Sequence, residues 1–187
     1  MSNVYELEMS FDRYTYAEYE GWDESCRCEL IDGMVYMMSA PSIWHQRVTG
    51  RIFSRLSVLL EGKPCEPFVS PIDVRLFPKD DESDGDVVQP DVIVVCDASK
   101  MSDDKACRGA PDIVFEVLSG STKMHDLRIK RDLYKNAGVK EYWVISSNHA
   151  VRWIWADGRD EELRFMRTNG VIEMPIETLS VSINLDV

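Results

Sequence analysis

The chain has 187 residues and a formal net charge of −12 at neutral pH. A single domain of that length buries about 70% of its unfolded surface, so a sizeable core is expected, and residues 1–187 read as one domain. With 44% hydrophobic and 29% charged residues the sequence is neither disordered nor fibrous. The acidic balance excludes a protein that grips polyanions by bulk charge; any nucleic acid must meet a local basic patch.

The longest apolar runs, such as Val92–Cys96, are too short to span a bilayer. Met1–Ser10 carries two glutamates where a secretory leader needs basic and apolar segments, so a cytoplasmic protein without membrane contact is expected. The cysteines Cys26, Cys28, Cys65, Cys96 and Cys107 are scattered, with no tandem CxxC pair. Cys26 and Cys28 lack a second Cys/His pair to complete a zinc site. Free thiols in a reducing compartment are expected.

In chain order, Thr15–Glu20 predicts a short helix capped by Thr15. Glu29–Ile31 and Met34–Met38 flank Asp32-Gly33, a strong hairpin signal. From Ser42 to Leu60 the period changes: Trp44, Val48, Ile52, Leu56 and Leu59 mark an amphipathic helix, with Gly62 just past its end. Strand-like runs follow at Glu66–Val69, Ile72–Leu76, Val87–Cys96 and Ile113–Leu118, punctuated by prolines. His125–Ala137 predicts a second long helix stopped by Gly138. Glu141–Ile145 and Val151–Trp155 are strands around a Ser146-Ser147-Asn148 turn, with weaker strand signals beyond. The pattern is α/β or α+β: a central mixed sheet flanked by helices.

Chemistry is suggested by acids among apolar residues. Asp91 stands between Pro90 and Val92-Ile93-Val94-Val95, Glu116 interrupts Ile113–Leu118, and Glu29 opens the hairpin. Carboxylates in buried strands must be paired, hydrogen-bonded or bound to a metal; otherwise each lies at a strand end facing water. Leu127, Lys130, Tyr134 and Ala137 share one helix stripe, which places Lys130 inward, where it either snorkels or meets buried carboxylates. Carboxylates with an inward lysine suit Mg²⁺ or Mn²⁺ and a phosphate substrate.

Five segments together resemble the Uma-two family: Glu29-Leu30-Ile31-Asp32-Gly33, Gln89-Pro90-Asp91, Glu116-Val117-Leu118-Ser119, Lys130 with Tyr134, and Gly138-Val139-Lys140-Glu141-Tyr142-Trp143. That family looks like a branch of the PD-(D/E)XK, restriction-endonuclease-like superfamily. The resemblance implies a restriction-endonuclease-like core with an added N-terminal hairpin and C-terminal strands, and metal-dependent phosphodiester hydrolysis, on DNA rather than RNA. It also implies the roles. Asp91 and Glu116 resemble the two metal-binding acids, Glu29 an additional acid, and Lys130 a lysine moved to the next helix from the usual strand position, here Leu118. Catalytic assignments therefore fall on Asp91, Glu116, Lys130 and Glu29, with Mg²⁺ or Mn²⁺ held by the three acids and the Val117 carbonyl as an extra ligand. Gly120 stands where the family more often has proline.

For the substrate, Arg47, Arg51 and Arg55 form a basic stripe at i, i+4, i+8, and Lys123, Arg128 and Arg131 cluster at the second helix. The same arginines equally suit a solvated helix face. Gln89 either lines the site or sits at an edge. His45 and His125 near helix starts read as surface residues, with contact to a phosphate as the alternative. Asp80–Asp91 imitates an EF-hand loop, but Pro78 and Pro90 argue against flanking helices. Ser119-Gly120-Ser121-Thr122 reads as a helix cap rather than a phosphate loop. Trp153 and Trp155 share a strand face, as core or as a homodimer contact. A catalytically inactive interaction protein of the same fold and a small-phosphoester hydrolase are the alternatives.

Overall fold

The computed structural model describes residues 12–23, 26–102, 104–118 and 124–186. Its first helix, α1 (Tyr16–Glu20), is closed at the start by Glu18, whose Oε2 accepts from the Thr15 N–H and hydroxyl at 2.9 Å each. Strands β1 (Cys28–Ile31) and β2 (Met34–Met37) form the expected antiparallel hairpin. Asp32 and Gly33 carry φ of 53° and 73°, the two positive values a type I′ turn requires. A Cβ on Gly33 would lie 2.9 Å from Arg13 Cβ and 3.0 Å from the Tyr14 carbonyl, so the position admits only glycine.

Helix α2 (Ile43–Leu60) starts at Ser42, whose hydroxyl accepts from the His45 N–H at 3.2 Å. It buries Val48, Ile52, Leu56 and Leu60, each worth about 1.5–3 kcal/mol of transfer free energy. The next strands are β3 (Glu66–Val69), β4 (Asp73–Arg75), β5 (Val87–Val88), β6 (Val92–Val95), β7 (Ala106–Arg108) and β8 (Ile113–Val117). Helix α3 (Met124–Ala137) and strands β9 (Glu141–Ile145), β10 (His149–Ile154), β11 (Glu161–Met166), β12 (Val171–Ile176) and β13 (Val181–Asp186) complete the chain.

The strands make a six-stranded sheet in the order β11-β10-β9-β8-β6-β3, a five-stranded sheet in the order β2-β1-β5-β4-β7, and the pair β12-β13. β8 and β9 run parallel, as do β4 and β7, and the other pairs are antiparallel. α2 and the β12-β13 pair pack on one face of the six-stranded sheet, against Val92, Val94, Phe115 and Trp143. α3 and the five-stranded sheet take the opposite face, against Ile93, Val114, Tyr142 and Val144. The fold is the mixed α/β architecture expected, with central sheets flanked by helices and extra strands at both ends.

Two expectations change, and a third feature had no expectation attached to it. The run Val87–Cys96 is not one strand: Pro90, which has no N–H to give a ladder, divides it between the two sheets. The cysteines are not all free thiols. Cys65 and Cys96 are joined by a disulfide because they extend the β3-β6 ladder, where Glu66 faces Val95, to the next opposed pair. Third, β7 has no strand signal of its own; it is held by parallel pairing with β4.

Trp153 and Trp155 are partly buried and stack on Tyr142 at 5.4 and 6.3 Å, while their indole N–H groups donate to Glu162 and Asp160. The acidic 80–91 loop is shaped by protein partners: Asp81 accepts from Ser83, and Asp84 is buried against Arg75.

Candidate active site

Four elements converge on one open cleft. β8 presents Glu116 toward α3, where Lys130 and Tyr134 stand one turn apart. Lys130 Nζ lies 3.0 Å from Glu116 Oε1 and 2.7 Å from Glu29 Oε1, so it bridges an acid from each sheet. The Tyr134 hydroxyl donates to the same Glu116 oxygen at 2.9 Å. Glu29 Oε1 also accepts the Gln89 N–H at 2.8 Å, from the segment between β5 and β6 that Pro90 keeps irregular.

Asp91 closes the group from the other side of Pro90. Its Oδ2 accepts the Val117 N–H at 2.7 Å and lies 3.1 Å from His45 Nε2 on α2. The acids Glu29, Asp91 and Glu116, with Gln89, His45, Val117 and Lys130, all line the cleft. The carboxylates facing Lys130 are nearly buried, at 6% and 12% exposed for Glu29 and Glu116.

Electrostatics follow from that burial. Desolvation pushes the Glu116 carboxyl up to about 7; Lys130 opposes the shift, while Asp91 and Glu29 reinforce it. Burial alone would lower the Lys130 ammonium, but Glu116 and Glu29 overcome it and raise the pKa above that of an ordinary lysine. The hydrogen bond to Asp91 raises the His45 imidazole against the opposing effect of burial. Tyr134 is pushed well up, first by burial and then by Glu116 and Glu29.

The donor set fits a hard divalent cation in type: the carboxylates of Glu29, Asp91 and Glu116 line one cleft, and Asp91 Oδ1 and Glu116 Oε2 accept no hydrogen bond among the described residues. As the side chains stand, no three His, Cys, Asp or Glu groups among the described residues converge on a single ion position. Lys130 sits between the two glutamates instead.

The sequence-derived residues thus divide. Glu29, Asp91, Glu116 and Lys130 come together, with Gln89 beside them. Of the basic stripe, Arg51 donates to the Asp186 carbonyl and Arg55 to its carboxylate at 2.8 Å, fastening β13 to α2. Arg47 is exposed and has no partner among the described residues, Arg131 pairs with Asp132, and Arg128 is exposed on α3. Lys123, the Ser119–Thr122 run with Gly120, and the His125 side chain lie outside the described residues. His45 is the residue the sequence reading misplaced. It is 9% exposed rather than a surface group, because it shares the buried stripe of Val48, Ile52 and Leu56. Its i, i+3, i+7 spacing with Val48 and Ile52 was the available signal.

Comparisons with known proteins bear on the family and the fold. The chain is 25% identical over 180 residues to the uncharacterized protein slr1290 of Synechocystis sp., covering 95% of this chain and 92% of that one. It also superposes on a crystal structure described as a "putative nuclease belonging to DUF820" from Anabaena variabilis. There the TM-score is 0.70 and the identity 16%, over 89% of this chain and 91% of that one, a likeness of fold. Residues 15–187 match the family model Uma2, described as "Putative restriction endonuclease", so the chain belongs to the Uma2 family.

Proposed function

We propose that the protein is an Mg²⁺- or Mn²⁺-dependent endonuclease that hydrolyses phosphodiester bonds, DNA in preference to RNA. The observation that carries this reading is the Lys130 ammonium bridging Glu29 and Glu116 beside Asp91, in an open cleft of a chain of this family. Asp91 and Glu116 would hold the ion, with the Val117 carbonyl and Glu29 as further oxygen donors. The ion would supply Lewis acidity and a more acidic water.

The chain's own groups have separate tasks. Lys130 orients water at the phosphate and offsets charge that grows on its oxygens. Tyr134 fixes the rotamer of Glu116, and the Val117 N–H with His45 fixes that of Asp91. Arg47 and Arg128, with Lys123, offer positive charge to the nucleic-acid backbone.

The test is calorimetric titration of Mg²⁺ and Mn²⁺ into wild type, Asp91→Ala and Glu116→Ala, with plasmid nicking followed in the same samples. Wild type is expected to bind and nick, and each variant to lose both. A small-phosphoester hydrolase would show hydrolysis without salt-sensitive binding to long DNA. A wild type that binds neither ion would favour the inactive interaction protein, the reading suggested by Lys130 already pairing with two of the acids.

A further inference from the structure

Outside the carboxylate cleft, two thiols face one another. Cys26 and Cys28 are separated by one residue where the chain enters β1, and their side chains lie together. Their sulfurs are 3.2 Å apart, inside the contact distance of two unbonded sulfur atoms. Cys28 is fully buried and Cys26 partly exposed. Cys26 lines a second, shallower cleft with Tyr19, Trp22, Asp73 and Gln89. A small molecule therefore reaches one sulfur while the other waits behind it.

We propose that Cys26 and Cys28 form a thiol–disulfide site that exchanges with low-molecular-weight disulfides. The order of events follows from exposure. The Cys26 thiolate attacks one sulfur of a small disulfide such as glutathione disulfide, giving a mixed disulfide and releasing one glutathione thiolate. The buried Cys28 then attacks the Cys26 sulfur as its proton passes to the departing glutathione thiolate, closing Cys26–Cys28 and releasing the second glutathione. Two protein thiols are oxidised, and one small disulfide is reduced to two thiols. Cys107 stands apart: it is buried, with its sulfur 3.5 Å from the Gly109 carbonyl.

The site adjoins the carboxylate cleft along the chain and across it. Cys28 immediately precedes Glu29. The Gln89 side chain donates to Tyr19 and Asp73 on the thiol side, while its backbone N–H is held by Glu29. The exchange chemistry itself requires no nuclease activity.

The experiment equilibrates the folded, full-length protein in glutathione buffers from fully reduced to fully oxidised, traps thiols with iodoacetamide, and maps the peptides by mass. Expected is a reversible transition in which the peptide holding both residues becomes two hydrogens lighter and takes up no alkyl groups. Cys107 should stay a thiol. Cys26→Ser should abolish the transition and leave Cys28 alkylated after unfolding, whereas Cys107→Ser should leave it unchanged. Alkylation of both cysteines at every buffer ratio would overturn the proposal, and so would a mixed Cys26–glutathione adduct that never resolves. Neither result depends on whether the protein cleaves DNA.

Discussion

The molecule holds two assemblies of buried charge, and they are built on opposite plans. Arg75 and Asp84 are each 1% exposed, and guanidinium meets carboxylate twice, Nε to Oδ2 at 2.9 Å and Nη2 to Oδ1 at 2.6 Å. The same Nη2 donates to the Lys79 carbonyl, the Lys79 N–H donates to Asp84, and the guanidinium lies 3.9 Å over the Tyr16 ring. Burial on its own would raise the Asp84 carboxyl, but Arg75 and the Lys79 N–H outweigh it and hold it below the ordinary range. The buried pair has one charge of each sign, each fully engaged, and the partly exposed Glu82 carboxylate lies 3.7 Å from Nη1 at its rim. Around Lys130 two buried carboxylates, Glu29 and Glu116, share one ammonium, and burial with Asp91 and Glu29 nearby holds the Glu116 proton up to about pH 7. Both assemblies are buried, so burial does not distinguish them. Charge balance does: the first is closed, with both groups of the buried pair fully engaged, whereas the second is open, with one ammonium shared by two buried acids.

The largest expected effect breaks the closed pair. Asp84→Ala leaves the buried Arg75 guanidinium only the partly exposed Glu82 carboxylate and should cost about 3–5 kcal/mol of stability by urea denaturation. Activity per folded molecule should be unchanged. A loss below about 1 kcal/mol would remove the contrast.

Next comes the open cluster, read through pH. Folded Glu116 keeps its proton to about pH 7, whereas the unfolded chain releases it near 4.5. Between those values the folded state binds more protons, so this group's contribution to stability falls as pH rises and then levels off. Glu116→Gln removes that dependence. From about pH 5 to about pH 8, wild type should therefore lose more stability than the variant, by on the order of 1–3 kcal/mol. Parallel curves would place Glu116 in the ordinary carboxylate range.

The smallest effects separate arginines on one helix. Arg55→Ala removes a partly exposed pair with Asp186 and should cost about 0.2–1 kcal/mol. Arg47→Ala should leave stability alone and lower the salt slope of DNA binding by about 0.9, the effect of one lost phosphate contact. If Arg55→Ala lowers the slope and Arg47→Ala does not, their roles are reversed.

Much of this was legible in the sequence. The helical periods of α2 and α3, the Asp32-Gly33 turn and most strand positions followed from local pattern, since each element buries one face. Lys130 on an apolar stripe and Glu116 inside an apolar strand flagged the site because buried charge is costly. What escaped depends on distant partners. His45 looks like an exposed residue until α2 is laid on the sheet and its ring meets Asp91. Arg51 and Arg55 read as a free basic stripe until β13, far along the chain, engages both. The Cys65–Cys96 bond needs the β3-β6 register, which no local pattern encodes.

Lys130 and Glu29 meet across 101 residues of chain. A chain still emerging from the ribosome therefore carries Glu29 in the open before it has made the lysine that pairs with it. Until α3 has been synthesised and docked, Glu29 and Glu116 belong to separate, unclosed pieces of sheet. The cluster consequently belongs to the finished fold and to no early fragment, so a truncated translation product ending before α3 lacks the centre altogether.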